Sequence, residues 1–164
     1  MEKLIIKQVN ESYKTNRDLR RLNRYIVGKG ANKNIELVRY YGSKGISKDS
    51  EAASDDMIRL LDYSKRPGQR KVYHFIFSFP DYIQDVNAVR IAIEMVAEEI
   101  FDEGYCLIYG IHESKKNLHA HFSILAVSYQ TNRKWHKKKE EFAMWKKGKE
   151  KLIKDILEEY YVDF

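Results

Sequence analysis

The chain has 164 residues, a length typical of one domain, and 43% of them are hydrophobic, which excludes wholesale disorder. No apolar run approaches the roughly 18 residues of a membrane span, the N-terminus lacks the apolar core of a signal peptide, and the single Cys106 excludes a disulfide framework or a thiolate zinc site. We therefore expect a cytoplasmic protein without membrane insertion, folded as a single domain over residues 1–164.

The net charge of +6 is unevenly distributed along the chain. Residues 1–49 carry 12 basic and 5 acidic groups, residues 131–151 carry 9 and 3, and residues 50–112 between them carry 6 and 11. Two basic segments therefore flank an acidic middle, which favours a polyanion such as nucleic acid as the partner. The alternative is that the lysines and arginines only form a solvated surface. The 12 tyrosines and two tryptophans add aromatic rings on which bases could stack.

The first third of the chain predicts a strand, a helix and a loop. Residues 4–9 fit a strand, and the following helix has Asn16 as its N-cap, apolar residues at helical spacing and an end near Gly28. Residues 28–49 contain four glycines and many basic groups. We interpret them as a basic loop with one helical turn around residues 35–41.

The rest of the chain predicts alternating helices and strands. The expected elements are a helix at 51–64, a central strand at 71–79, a helix at 81–101, strands at 105–112 and 118–129, and a lysine-rich helix at 137–159 interrupted at Gly148. The last two strands are close enough in sequence to form a hairpin. This order indicates an α+β fold, an antiparallel β-sheet with helices packed on it.

Three of the five histidines lie within ten residues of one another. His119 and His121 are two positions apart in a strand, so their side chains point to the same face of the sheet. If an even-numbered loop such as residues 113–118 places His112 opposite either of them, all three imidazoles converge. Three neutral imidazoles with open positions suit a divalent metal that acts as a Lewis acid. The alternative is that they are ordinary polar residues of a half-buried strand.

Four segments together resemble the nuclease domain of plasmid mobilisation relaxases of the MobA/VirD2 type, members of the HUH endonuclease superfamily. The run YCLIYGIHESKKNLHAHFSIL resembles the metal motif, in which two histidines flank a hydrophobic residue. LNRYIVGKG resembles the nucleophile motif, GQRKVYHFIFSFP a strand with a histidine and a Ser-Phe pair, and TNRKWHKKKEEF the segment after the metal strand. The segments follow the family's order and cover about residues 20–145. Ser114 stands where the family often has Asp.

The resemblance implies the HUH relaxase architecture, with a ferredoxin-like palm, and a metal-dependent DNA relaxase. Such an enzyme nicks and rejoins one strand at a transfer origin through a 5′-phosphotyrosyl intermediate. Tyr25 matches the nucleophile, and His112, His119 and His121 match the ligands of a divalent cation, with Mg²⁺ or Mn²⁺ expected. The implied partners are single-stranded or extruded transfer-origin DNA, accessory mobilisation proteins and a secretion-system coupling protein.

Two basic clusters are candidate DNA contacts. Arg24, Lys29 and Lys33 surround the Tyr25 motif and could hold neighbouring phosphates. A second cluster lies before the last helix and combines positive charge with one ring for stacking: Arg133, Lys134, Trp135 and Lys137.

Several alternatives stay open on the sequence alone. Tyr25 lies in an apolar stripe and could be a core residue, and the competing nucleophiles are Tyr40, Tyr41, Tyr129, Tyr160 and Tyr161. His74 is either a satisfied core histidine or a residue bordering the site, and Asp81 and Glu113 are candidates for orienting a ligand histidine. The alternative functions are an HUH replication initiator or transposase, which the early position of Tyr25 argues against, and a non-catalytic single-strand-binding module.

Overall fold

A computed structural model describes residues 3–30, 36–64 and 69–161 of the chain. Over these residues it contains five strands and four helices: β1 (Ile5–Gln8), α1 (Asn16–Ile26), β2 (Leu37–Lys44), α2 (Ser50–Ser64), β3 (Val72–Ser78), α3 (Val86–Asp102), β4 (Leu107–Glu113), β5 (Leu118–Leu125) and α4 (Lys139–Leu157).

The five strands form one sheet in the order β1-β3-β5-β4-β2, and every neighbouring pair is antiparallel. One face carries the larger core, where Phe75, Phe77 and Phe122 pack against α3 and α4. The other face carries a second core under α1 and α2. The α+β fold predicted from the sequence is confirmed.

Helix α1 begins and ends through side-chain and backbone caps. Thr15, and not the predicted Asn16, is the N-cap: its hydroxyl accepts a hydrogen bond from the Asp18 amide in a capping box. At the other end the Gly28 amide donates to the Tyr25 carbonyl and the Lys29 amide to the Arg24 carbonyl. This Schellman pair requires a left-handed residue, and Gly28 has φ +84°. The caps fix the last turn of α1, which carries Tyr25.

The segment predicted as a basic loop contains a strand. Residues 37–44 form β2, which pairs with β4 along its whole length, with a register shift between Val38 and Tyr40. The helical turn predicted around residues 35–41 is therefore wrong over residues 37–41, and residue 35 lies outside the described part of the chain. Because β2 is an edge strand with polar residues, a bulge and Gly42, its sequence shows no clear alternation.

Three other boundaries differ from the prediction. Helix α3 begins at Val86, because the Asp85 carboxylate caps it, and not near residue 81. Strand β5 ends at Leu125, four residues early. Helix α4 runs uninterrupted through Gly148. The buried Lys149 Nζ holds α4 to α3 by donating to Glu99 and Glu103, each at 2.5 Å.

Candidate metal centre and active site

The hairpin of β4 and β5 brings three histidines together. His112 pairs with His119 across the hairpin, and His121 pairs with Gly110. All three side chains lie on the face covered by α1, and all three are buried. The condition set out from the sequence, an even-numbered register that places His112 opposite one of the other two histidines, is met. The residues of β5 between the histidines face the larger core, as predicted.

Glu36 completes this cluster from the residue before β2. Its Oε2 lies 2.9 Å from His112 Nδ1, and its Oε1 lies 3.1 Å from His119 Nε2. One ligand atom from each of the four residues falls within 4.8 Å of the others. Glu36 was not predicted from the sequence, because residues 28–49 resemble a basic loop. The available signal was that Glu36 is the one acidic residue between Asp18 and Asp49.

The donor set fits a divalent cation. Three imidazole nitrogens and one carboxylate oxygen are ligands that Mn²⁺ and later first-row ions accept. His112 is already oriented for this role, because its Nε2 lies 2.9 Å from the Ile26 carbonyl oxygen. In the metal-free protein both ring nitrogens of His112 face oxygen acceptors, Nε2 the Ile26 carbonyl and Nδ1 the Glu36 carboxylate. A cation at this site would take the Nδ1 lone pair, and the ring proton would stay on Nε2.

Tyr25 lies in the last turn of α1, directly over the histidines. Its hydroxyl donates a hydrogen bond to Glu36 Oε2 at 2.7 Å and lies 3.4 Å from His121 Nε2. Its ring contacts the rings of His112 and His121 edge-on, with centroids 5.1 and 5.0 Å away. The family-derived nucleophile and the candidate metal ligands therefore meet in one place, and Tyr25 is not simply a core residue.

The electrostatics of the pair keep the phenol protonated. Burial raises the pKa of Tyr25 well above its usual value, and the hydrogen bond to Glu36 and the charge of that carboxylate raise it further. Burial also acts to raise the pKa of Glu36, but hydrogen bonds from His112 and Tyr25 and the nearby His119 outweigh it, so that this pKa is lowered. The site thus holds a neutral phenol beside an ionised carboxylate.

Burial keeps the imidazoles of His74, His119 and His121 neutral. It lowers the pKa of His74 to about 4 and lowers those of His119 and His121 as well, and the charge of His112 adds to the effect on each. Neutral imidazole is the form that binds a metal.

His74 borders the site from β3. Its Nε2 lies 2.9 Å from His121 Nδ1, and its Nδ1 lies 2.8 Å from the hydroxyl of Tyr13. His74 is therefore a buried histidine whose two nitrogens both have partners, and one of those partners belongs to the cluster.

Comparison with known proteins identifies the family. The family model described as relaxase, MobA/VirD2-like, nuclease domain, matches residues 25–161. The chain belongs to this relaxase family. A solved structure reported for the molecular basis of vancomycin resistance transfer in Staphylococcus aureus has 16% sequence identity and a TM-score of 0.68, over 96% of this chain and 94% of that one, and so shares the fold. No curated protein matches the chain significantly.

The relaxase carries arginines on the exposed side of α1. Arg17, Arg20, Arg21 and Arg24 line, with Gly30, a depression of about 470 Å³ next to Tyr25. Of these arginines, only Arg24 was predicted from the sequence as a DNA contact. Its Nε lies 2.6 Å from Glu51 Oε1. Lys29 lies 3.7 Å from Asp49, and Lys33 is outside the described residues.

The second predicted DNA cluster lies elsewhere in the relaxase. Trp135 is only 4% exposed and packs among Tyr73, Phe75, Tyr105 and Trp145, so the proposed stacking of DNA bases on this ring is wrong. Its amide donates to the Ala126 carbonyl, just beyond the end of β5. His119 and His121 lie near the start of that strand, so Arg133, Lys134 and Lys137 belong to the opposite end of the sheet.

The two acidic candidates for orienting a ligand histidine do not do so in this structure. Glu113 pairs with Arg39 at 3.0 Å, and Asp81 is exposed in the turn after β3. Ser114, at the position of the family's Asp, closes the β4–β5 turn, where the Ser114 amide donates to the Asn117 carbonyl. Among the described contacts, the side chains and backbone groups that lie against the ring nitrogens of the three histidines are Glu36, His74, Tyr25 and the Ile26 carbonyl.

The competing tyrosines lie away from the cluster. Tyr129 donates to the Phe101 carbonyl, Tyr161 accepts from the Asp85 amide, and Tyr40 packs beside Tyr109. Tyr41 and Tyr160 are exposed. Within the described residues, Tyr25 is the tyrosine whose hydroxyl donates a hydrogen bond to Glu36 of the candidate metal site.

A cleft of about 660 Å³ opens beside Tyr25, between α1 and the end of β1. Its walls include the rings of Tyr13, Tyr25 and His74, and Lys7, Gln8 and Asn10 contribute polar groups. Such a combination of flat apolar walls and polar side chains suits an unpaired nucleotide.

Among the described residues, no helix has the length and apolar composition to cross a membrane.

Proposed function

We propose that this relaxase nicks and rejoins one strand of transfer-origin DNA in a metal-dependent reaction, with Tyr25 as the nucleophile and His112, His119 and His121 as the metal ligands. The observation that carries the proposal is the hydrogen bond from the Tyr25 phenol to Glu36, the carboxylate that also contacts two of the three histidines. A nucleophile, a base and a metal-binding group within contact of one another are what covalent phosphoryl transfer requires.

In the proposed reaction the phenol proton passes to Glu36 Oε2, 2.7 Å away, and the Tyr25 oxygen attacks the scissile phosphorus. The bond from phosphorus to the 3′ oxygen breaks, a phosphotyrosyl bond to the 5′ side forms, and the 3′ oxygen takes up a proton. Because one ester replaces another, the reverse reaction rejoins the strand. A divalent cation, when bound, would offset the charge of the phosphate and favour the phenolate.

The ligand set favours Mn²⁺ over Mg²⁺ as the activating ion. Mg²⁺ prefers oxygen ligands and retains several waters, whereas this site offers three buried imidazole nitrogens. Glu36 supplies the single carboxylate oxygen, either as a fourth ligand or as the base for Tyr25.

The DNA strand is proposed to reach Tyr25 along the cleft beside α1, with the exposed arginines of that helix against the phosphates. Arg24 and Lys29 belong to this approach, whereas Arg133, Lys134 and Lys137 would contact a more distant part of the strand. Lys33 lies outside the described residues and stays a prediction from the sequence. Accessory mobilisation proteins, a coupling protein and a cytoplasmic location remain predictions from the family resemblance.

A covalent-trapping assay tests the proposal. The protein is incubated with Mn²⁺ or Mg²⁺ and single-stranded oligonucleotides that span transfer origins of candidate elements, and adducts are resolved on a denaturing gel and mapped by mass spectrometry. We expect an adduct on Tyr25 that is lost with a chelator, in Tyr25→Phe and in His121→Ala. Tyr41→Phe, which removes an exposed hydroxyl from β2, is the matched control and should retain the adduct.

Other outcomes would point to the alternative functions. An adduct on Tyr160 or Tyr161 would move the protein towards replication initiators or transposases, which place the nucleophile after the metal strand. Tight single-strand binding that survives removal of the histidines, without any adduct, would indicate a non-catalytic module.

A further inference from the structure

A buried hydrogen-bonded chain leads away from the metal-binding cluster. His121 Nδ1 contacts His74 Nε2 at 2.9 Å, and His74 Nδ1 contacts the Tyr13 hydroxyl at 2.8 Å. All three residues are buried, and they come from β5, β3 and the segment before α1. The reaction proposed above assigns no role to His74 or Tyr13.

The direction of this chain follows from the surroundings of His121 Nε2. That nitrogen lies 3.8 Å from Glu36 Oε2 and 3.4 Å from the Tyr25 oxygen, whose proton is already donated to Glu36. A proton on Nε2 would have no acceptor at normal hydrogen-bond distance. The neutral ring therefore carries its proton on Nδ1, donates it to His74 Nε2, and leaves the Nε2 lone pair free inside the cluster.

The same logic extends to Tyr13. When His74 Nε2 accepts a hydrogen bond, His74 Nδ1 carries the ring proton and donates it to the Tyr13 oxygen. Tyr13 lines the cleft, so its hydroxyl can donate its hydrogen bond to water. Tyr13 has φ 44°, a left-handed backbone conformation that is unfavourable for a tyrosine. Its carbonyl accepts from the Lys71 amide, which holds the turn beside β3. Strained backbone thus places the phenol at His74.

We propose that His74 and Tyr13 are positioning residues that hold His121 in the Nδ1-protonated form, with Nε2 directed at the metal. The proposal rests on the proposed function for the identity of the bound group, but the protonated nitrogen can be observed without any metal. Partners of this kind fix the orientation and tautomer of ligand histidines in metal sites, and their loss weakens metal binding by roughly 10–100-fold.

The first test is the ring protonation of His121 in the metal-free protein, read from ¹⁵N–¹H long-range NMR correlations of the histidine side chains at neutral pH. We expect the Nδ1-protonated tautomer in the wild type. His74→Phe, which keeps a ring of similar size but removes both nitrogens, should shift His121 towards the Nε2-protonated tautomer. An Nε2-protonated His121 in the wild type, or a tautomer that His74→Phe leaves unchanged, overturns the proposal.

The second test is the affinity for Mn²⁺ alone, measured by the electron paramagnetic resonance of the free ion. We expect His74→Phe to weaken binding about tenfold or more. Tyr13→Phe, which keeps the ring and is expected to fold, should give a smaller loss in the same direction. Tyr73→Phe removes a hydroxyl from the neighbouring residue of β3, whose side chain lies on the other face beside Trp135, and should leave affinity unchanged.

The two tests separate this proposal from the proposed function. The expected tautomers combined with no Mn²⁺ binding by the wild type would support the positioning role and count against the metal-dependent reaction. Normal Mn²⁺ affinity in His74→Phe would overturn the positioning role and leave the reaction standing.

Discussion

At the scale of single residues, the contact between Glu36 and Tyr25, the proposed nucleophile, keeps this phenol protonated in the metal-free protein. The carboxylate accepts the phenol proton at 2.7 Å, but its charge and the buried setting raise the pKa of Tyr25. Two anions would otherwise stand side by side away from water. Attack by Tyr25 would therefore need a compensating positive charge. A cation held by the three histidines around Glu36 would supply it.

Glu36→Gln tests this arrangement. The substitution keeps the shape of the side chain but removes its charge, so the pKa of Tyr25 should fall towards its ordinary value in metal-free protein, although burial still raises it. Mn²⁺ affinity should fall about tenfold or more, and adduct formation by roughly 100-fold, as expected for loss of a general base. Ultraviolet titration of the phenol, Mn²⁺ binding and the trapping assay measure the three effects.

The control is Glu113→Gln. Glu113 follows His112 in the sequence, and its carboxylate pairs with Arg39 and not with the histidines. The substitution should leave the titration of Tyr25 and the Mn²⁺ affinity unchanged. Equal effects of the two substitutions would mean that overall charge, and not the position of Glu36, controls the site.

The buried His74 makes stability depend on pH. The pKa of His74 is lowered by burial to about 4 in the folded protein, against the usual 6.5 of histidine, so between these values the unfolded chain binds a proton that the folded chain does not. The free energy of unfolding should therefore fall as the pH falls from 6.5 towards 4, by roughly 3 kcal/mol over the full window. His119 and His121, whose pKa values are also lowered, act in the same direction.

Urea unfolding at pH 7 and pH 5, followed by circular dichroism, measures this dependence. His74→Phe should show a smaller difference between the two pH values than the wild type, since it lacks the titrating ring. A wild-type free energy of unfolding that is the same at both pH values would contradict the buried, neutral state of these histidines.

At the scale of elements, Gly110 allows the last turn of α1 to lie close to the sheet. Gly110 of β4 pairs with His121 and lies under the last turn of α1, where a Cβ atom would overlap the Ile26 carbonyl oxygen. The same oxygen contacts His112 Nε2 at 2.9 Å. The close approach that Gly110 permits therefore positions both a ligand histidine and Tyr25, one residue away from Ile26.

Gly110→Ala should push the end of α1 away from the sheet. We expect a loss of about 1–3 kcal/mol in the free energy of unfolding, and a loss of adduct formation in protein that is still folded. Gly148→Ala is the matched control, because nothing lies within 4 Å of a Cβ atom at this position in α4. It should stabilise the protein by about 0.5–1 kcal/mol. Thermal unfolding and the trapping assay compare the two, and a harmless Gly110→Ala would contradict the packing role.

Most elements were predicted from the sequence, and the clearest signals came from those with a strong apolar pattern. Strands β3, β4 and β5 carry dense apolar and aromatic residues, and α1 carries an apolar stripe over the second core. Strand β2 was missed because an edge strand with Gly42, a bulge and charged neighbours has no alternation to detect. Its existence depends on pairing with β4, a tertiary contact that local sequence does not encode.

At the scale of the whole molecule, the same distinction explains the candidate site. The spacing of His119 and His121 was enough to predict that they share a face, because strand geometry fixes it, whereas the convergence of His112 depended on the hairpin register that the structure shows. Glu36 is 76 residues from His112 and enters the site only through the pairing of β2 with β4, so no local motif marks it. Trp135 misled for the converse reason: a ring within a basic run was interpreted as exposed, whereas the fold buries it.

The distribution of charge over the fold separates the two basic clusters predicted for DNA. The arginines of α1 line the depression next to Tyr25. The cluster of Arg133, Lys134 and Lys137 lies at the opposite end of the sheet. A short strand bound at Tyr25 should therefore contact only the first cluster. A longer strand could extend to both.

Fluorescence anisotropy with single-stranded oligonucleotides of about 8 and about 30 nucleotides tests this separation. Arg17→Gln or Arg24→Gln should weaken binding of both lengths, and each lost phosphate contact should reduce the slope of log affinity against log salt by about 0.7. Lys134→Gln should affect the longer oligonucleotide alone, since the short one ends before it reaches that cluster. If Lys134→Gln weakens the short oligonucleotide as much as Arg17→Gln does, the strand does not follow the cleft beside α1, and the proposed path of the DNA is wrong.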